Sequence, residues 1–420
     1  MRLFETLALL ILAAAALSFV NSYVFRLPST IALLLGGLVA SAVILAINSL
    51  FPSLAITAEA SALIGRIDFT RFLFGGVLSL LLFAGALKLD FEDLSRERIP
   101  ILVLAILGIV LSTVVIGFAS HTVFRLLHAD VPLPYCFVFG ALIAPTDPIA
   151  VLGILEKLHA PKSLEVRIGG ESLFNDGLGV VVFSILLAIA GSGGLGDGEN
   201  LWSLAGVLFL REAVGGVALG LIAGLITYQA MKRINEPNVE VLLSFGLVIA
   251  MTLIAERVHT SAPLACVVAG LFIGNRGRRF AMEEATRNAI DQVWSFVDSL
   301  LNAMLFLLLG LEAVVLWSSG PFLALLLLVP VVLAARWISV GAGIVLLRRR
   351  YPFDRGALSL LTWGGLRGGI SVAMALSLAT FPGRSAVLLA TYVIVVFSLV
   401  VQGLTLTPLT RRLLGKKSTA

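Results

Sequence analysis

Residues 140–155 read GALIAPTDPIAVLGIL, and residues 167–187 read RIGGESLFNDGLGVVVFSILL. Each stretch belongs to a hydrophobic run long enough to cross a bilayer, and each carries an acid at its centre, Asp147 and Asp176. A carboxylate at mid-membrane costs about 2.5–3.5 kcal/mol on insertion scales, so such groups face the protein interior and mark ion or proton routes. These two aspartates decide how the rest of the chain is read.

The 420 residues are 59% hydrophobic and 13% charged, with a mean hydropathy of +1.04. Soluble domains carry roughly 25% charged residues. The composition therefore predicts an all-α polytopic membrane protein, because only helices satisfy their own backbone inside lipid without closing a barrel. Runs of about 20 apolar residues recur about thirteen times, among them the fifth near 133–155, the sixth near 167–190, the seventh near 203–229 and the twelfth near 356–380. Cys136 and Cys266 lie in apolar runs without metal-ligand spacing, so no cofactor is expected. The net charge of +5 resides at the ends of the runs and does not suggest nucleic acid.

Most of the 30 lysines and arginines fall on one side, including Arg276, Arg278, Arg279 and Arg287, and Arg348, Arg349 and Arg350. The positive-inside rule makes this the cytoplasmic side, with the C-terminus cytoplasmic and the N-terminus outside. The short loops point to the cell membrane of a prokaryote. The fifth run is interrupted at Pro145–Pro148 and the twelfth at GGLRGG, residues 364–369. Their separation is an odd number of spans, so the two cross the membrane in opposite directions. Corresponding interruptions in two halves mark inverted-repeat transporters. The expected layout is a single transporter domain. It has two six-span inverted repeats, about 4–190 and about 239–410, a linker span at about 203–229 and a short cytoplasmic tail at 411–420.

Pro148 lacks a backbone N–H and pushes Asp147 out of helical geometry. With Pro145 it predicts two half-helices meeting near Thr146 and Asp147, where carbonyls and a carboxylate offer oxygen to a hard cation. The plainer reading is a proline kink whose acid caps the second half-helix. In the sixth run, Ser172 pairs with Asp176 and Glu171 with Asn175 at a spacing of four, so each pair shares a helix face. Helix-end solvation is the alternative for Glu171. Arg336 and Arg367 lie in apolar surroundings. Arginine stays charged and must be paired or held by carbonyls. Glu171 is the expected partner of one of them; Arg336 is favoured, leaving Arg367, beside Gly364 and Gly365, to hold carbonyls of its own broken span, but the sequence alone does not decide between the two arginines.

PTDP at 145–148, GGESLFNDG at 169–177, GGLRGG at 364–369 and VVQGLTLTPL at 400–409 together resemble the monovalent cation/proton antiporters of the NhaP and NHE type. The resemblance implies a thirteen-span inverted-repeat fold, a homodimer among membrane lipids, and a core bundle moving against a dimerisation bundle. It implies an ion site of Thr146, Asp147, Asn175 and Asp176, with Ser172 as a further oxygen ligand and Glu171 paired with Arg336. An Asn-Asp pair in the sixth span goes with electroneutral exchange in that family. One departure is Ala84 in LLLFAGALKLD, residues 80–90, where many relatives carry an acid.

The expected activity is exchange of Na⁺ (or Li⁺) for H⁺ at Asp147 and Asp176, serving pH and sodium homeostasis, with K⁺/H⁺ exchange as the alternative. Desolvation favours the protonated carboxyl and a neighbouring cation favours the charged one, so the two substrates compete for one site. A cation channel would lack the proton coupling. An intramembrane aspartyl protease would use both acids as an acid–base pair, but leaves the buried arginines unexplained.

Overall fold

The computed structural model describes residues 3–51, 73–158, 160–191, 201–316, 322–353 and 356–414, and every regular element among them is a helix. Residues 192–200 and the basic residues Arg66, Arg71, Arg355, Lys416 and Lys417 fall outside this set. Among the described residues, nine helices are long and apolar enough to cross a membrane. Large apolar side chains project outward from them, with Leu12, Phe19, Ile222, Ile226 and Leu346 each 60% exposed or more. Such a surface is stable only against lipid or another apolar face.

Local chemistry sets the helix boundaries. Helix α1 (Leu3–Val20) continues through a wider turn to a left-handed Arg26, and α2 (Ser29–Leu50) follows Pro28. After the short apolar α3 (Leu78–Leu87), Asp90 accepts the backbone N–H of Glu92 at 2.7 Å and starts α4 (Phe91–Leu126). This N-cap starts the helix on a charged first turn, Glu92 and Asp93, ahead of the apolar run that opens at about residue 100. Further along are α5 (Leu133–Ile143), α6 (Ile149–Lys157), α7 (Lys162–Gly191), α8 (Gly215–Met231) and α9 (Pro237–Val258). The second half continues with α10 (Ala262–Phe272), capped by Ser261, then α11 (Glu284–Leu311) and α12 (Leu328–Leu347). The chain closes with α13 (Ala357–Trp363), α14 (Gly369–Leu376), α15 (Arg384–Phe397) and α16 (Gly403–Leu414).

Two packing groups emerge. In one, α4 lies against α5, α7 and α12, and α14 packs on α15 and α5. In the other, α11 packs on α2 and α9, and α8 packs on α10. Helices α3 and α7 touch both groups. Helix association in lipid relies on close backbone approach at small residues. At the α2–α11 crossing a Cβ on Gly310 would lie 2.5 Å from the Leu34 carbonyl oxygen. Gly310→Ala is therefore expected to push α11 off α2 and cost about 1–3 kcal/mol, seen as a lower melting temperature in detergent. Gly246→Ala, where nothing lies within 4 Å of the added carbon, is the matched control and should not destabilise.

Candidate ion site

Two helix interruptions cross near the middle of the first packing group. Helix α5 ends at Ile143 and α6 begins at Ile149, leaving Ala144–Pro148 between the two helices. Helix α13 ends at Trp363 and α14 begins at Gly369. The two meet through one backbone hydrogen bond, from Asp147 N–H to the Leu366 carbonyl at 2.7 Å. Glycines make the meeting possible. A Cβ on Gly368 would fall 2.7 Å from Asp147 Oδ2, and one on Gly365 would fall 2.7 Å from Arg336 Nε. Pro145 packs on α7, where a Cβ on Gly179 would lie 2.4 Å from its Cγ.

Freed backbone groups need partners in a dry interior, and the structure supplies them. Asp147 Oδ1 accepts the Ile149 N–H at 2.9 Å and so caps α6, as the plainer reading of the kink required. The same carboxyl also lines the cavity described below, so capping and exposure to that space coexist. Thr146 N–H donates to Asn175 Oδ1 at 3.2 Å, and Asn175 Nδ2 donates to Thr146 Oγ1 at 2.8 Å. Ser172 Oγ lies 3.0 Å from Thr146 Oγ1. Asn175 and Ser172 thus stand behind Thr146 and hold it in place. Neither is part of the cavity wall.

Arg336 Nη1 and Nη2 donate to Glu171 Oε1 and Oε2 at 2.7 and 2.8 Å, in a bidentate pair buried on both sides. Glu171 Oε1 also accepts from Asn175 Nδ2 at 2.9 Å, so the ion pair is wired to Thr146. Arg336 Nε reaches the Leu361 carbonyl at 3.3 Å. Arg367 departs from the sequence expectation that it would hold the carbonyls of its own span. Its Nη1 donates instead to the carbonyls of Ala144 and, at 2.9 Å, of Pro145, the end of α5 across the crossing. The reason is geometric. The Arg367 backbone N–H is anchored on Ser398 Oγ at 2.9 Å, and the side chain spans to the unsatisfied C-terminal carbonyls facing it, where positive charge is also favoured.

A cavity of about 520 Å³ reaches this crossing. Thr146, Asp147 and Asp176 line its inner end, and Lys88, Glu156 and Lys162 stand exposed at its outer end. On α7 the lining residues Glu165, Gly169, Leu173 and Asp176 form a helical stripe at spacings of three and four. Asp176 enters no ion pair among the described residues, although the charge of Arg367 is near enough to act on it. Asp298 and Asn302 of α11 also line the cavity. Sequence reasoning placed neither at the ion site; their spacing of four, which puts two polar groups on one face of α11, was the available signal. Ala84 lies elsewhere. The cavity face of α3 is Leu78, Leu81, Leu82 and Gly85, whereas Ala84 is fully buried in the apolar cluster around Trp294 and Cys266. An acid introduced at position 84 would not point into this cavity.

An all-helical membrane protein with two crossed, broken helices and two acids, half-buried Asp147 and buried Asp176, lining one cavity has the architecture of a secondary ion transporter rather than an enzyme. The model of the family described as sodium/hydrogen exchanger, transmembrane, matches residues 8–412, and the chain belongs to that family. The chain is 44% identical to the Na⁺/H⁺ antiporter NhaP of Pseudomonas aeruginosa over 97% of its own length and 96% of the relative's. It is 36% identical to the Na⁺/H⁺ antiporter NhaH of Halobacillus dabanensis over 96% of each. The fold matches that of the sodium proton antiporter MjNhaP1 from Methanocaldococcus jannaschii with a TM-score of 0.77, at 19% identity, covering 99% of this chain and 100% of that one.

Proposed function

We propose that this chain exchanges Na⁺ for H⁺ across a prokaryotic cell membrane, with Asp147 and Asp176 as the shared site. The observation that carries the proposal is the pair of acids lining a single cavity, with Asp176 in no ion pair among the described residues. Glu171 and Arg336 neutralise each other. The charges remaining around the crossing are Asp147, Asp176 and Arg367, a net of one negative when both acids are ionised. One Na⁺ or one H⁺ neutralises that excess. Carrying an uncompensated charge through a low-dielectric interior is costly, so the loaded states move and the empty site does not. This accounting supports electroneutral one-for-one exchange. Thr146 adds a hydroxyl to the carboxylate oxygens, a donor set suited to a hard monovalent cation.

The finer architecture follows the same reading. The layout proposed is thirteen crossings in two inverted repeats, with the crossed interruptions of α5–α6 and α13–α14 as the corresponding pair. The first packing group acts as the moving core and the second as its partner bundle, which forms a homodimer in lipid. The exposed Lys88, Glu156 and Lys162 support a cavity mouth on the basic, cytoplasmic side. Inverted membrane vesicles loaded with a pH-sensitive dye test the function. Adding Na⁺ should discharge a preformed proton gradient, K⁺ should do so far less, and clamping the membrane voltage should not change the rate. Cation movement without proton movement would overturn the proposal.

A further inference from the structure

The cavity also holds a second polar cluster, at the end of α3 and on α11, that exchange at Asp147 and Asp176 does not use. Asp298 Oδ2 lies 2.6 Å from Lys88 Nζ. Asn302 Nδ2 donates to Asp298 Oδ1 at 2.7 Å and to the Asp298 carbonyl at 2.8 Å. Asn302 is 5% exposed, and its Oδ1 is buried with no hydrogen-bond partner. A buried acceptor left unpaired is costly, so this oxygen favours a state in which it gains a partner. Lys88, Asp298 and Asn302 line the same cavity as Asp147 and Asp176.

We infer that Asp298 and Asn302 form a second cation subsite in the cavity, occupied in this state by the tethered ammonium of Lys88. The inference deepens the exchange reading and rests on it. A monovalent cation descending the cavity meets Asp298 before the inner acids. It displaces Lys88, whose four-carbon stem lets the ammonium swing to water, and whose side chain is already half exposed. Asp298 and the unpaired Asn302 oxygen then supply two of the oxygens the cation lost on leaving water. When the cation moves inward, Lys88 returns and the subsite is neutral again. Lys88 is thus a competitor built into the chain: it discourages occupancy at low cation concentration without blocking the path.

The test compares Na⁺ dependence of exchange in inverted vesicles for the wild type, Lys88→Gln, Asp298→Asn, and the double variant. Removing a competitor held by a partly exposed ion pair should lower the KM for Na⁺ about two- to five-fold, with the maximal rate retained. Asp298→Asn should raise KM several-fold, also at retained maximal rate, and Asp298→Glu should restore much of it. In the double variant, Lys88→Gln should no longer lower KM, because its counterpart is gone. An unchanged KM in both single variants overturns the subsite, as does a loss of maximal rate at constant KM, which would mark a purely structural ion pair. Additive KM effects in the double variant overturn it too. Wild-type vesicles that show no Na⁺-driven proton movement would defeat the exchange reading itself, and the subsite is then judged by Na⁺ binding to the purified variants, where the same shifts in affinity are required.

Discussion

Asp176→Asn is expected to reduce exchange to the background of vesicles lacking the protein, with folding intact. The substitution keeps size and polarity but removes the charge for which Na⁺ and H⁺ compete. At contact distances of about 4 Å and an effective dielectric near 20, one charge pair is worth ~4 kcal/mol, roughly a thousandfold in affinity. Asparagine also cannot release a proton, so both halves of the cycle fail together. The charge argument extends this. With Asp176 neutral, Asp147 and Arg367 alone balance, and the empty site becomes electrically neutral without a substrate. The variant should therefore migrate as a monodisperse protein of normal melting temperature. Retained exchange in vesicles would remove Asp176 from the mechanism.

Glu171→Ala is expected to act on the opposite property. Arg336 is 3% exposed and both its terminal nitrogens are committed to Glu171. Deleting one partner of a buried ion pair costs about 3–5 kcal/mol, because a charge that cannot be neutralised stays behind in a dry interior. Asn175 Nδ2 loses a partner in the same step, so Thr146 loosens as well. Low yield and a strongly lowered melting temperature should follow. The double variant Glu171→Ala, Arg336→Ala should recover part of that loss, since no orphaned charge remains. A Glu171→Ala protein as stable as the wild type would mean that water or another acid compensates Arg336.

Set side by side, the two variants separate functions held within six residues of one helix. Asp176 faces the cavity, and Glu171 faces α12. A helix turns about 100° per residue, so five positions along α7 are enough to place a substrate site and a structural anchor on different faces. Asn175 joins the two, bonding to both Thr146 and Glu171. Any movement of the broken α5–α6 segment is thereby transmitted to the ion pair.

Much of this was legible from the amino acids alone. Hydropathy identified the membrane class, because a run of about 20 apolar residues has one stable solution in lipid. It also located Asp147 and Asp176, because an acid in such a run is expensive and conspicuous. The proline pair around Thr146 and Asp147 announced the interruption of α5–α6 through local backbone chemistry, which needs no knowledge of neighbours. Packing settled what local rules cannot reach. Arg367 crosses to the carbonyls of Ala144 and Pro145, more than 220 residues away. Lys88 meets Asp298 at a separation of 210 residues. Ala84 and Gly85 are adjacent in the chain, yet one is buried against Trp294 and the other lines the cavity. Helical periodicity relates residues three and four apart on one helix. It carries no information about which face turns toward which neighbour, and that depends on the close fit of many side chains at once.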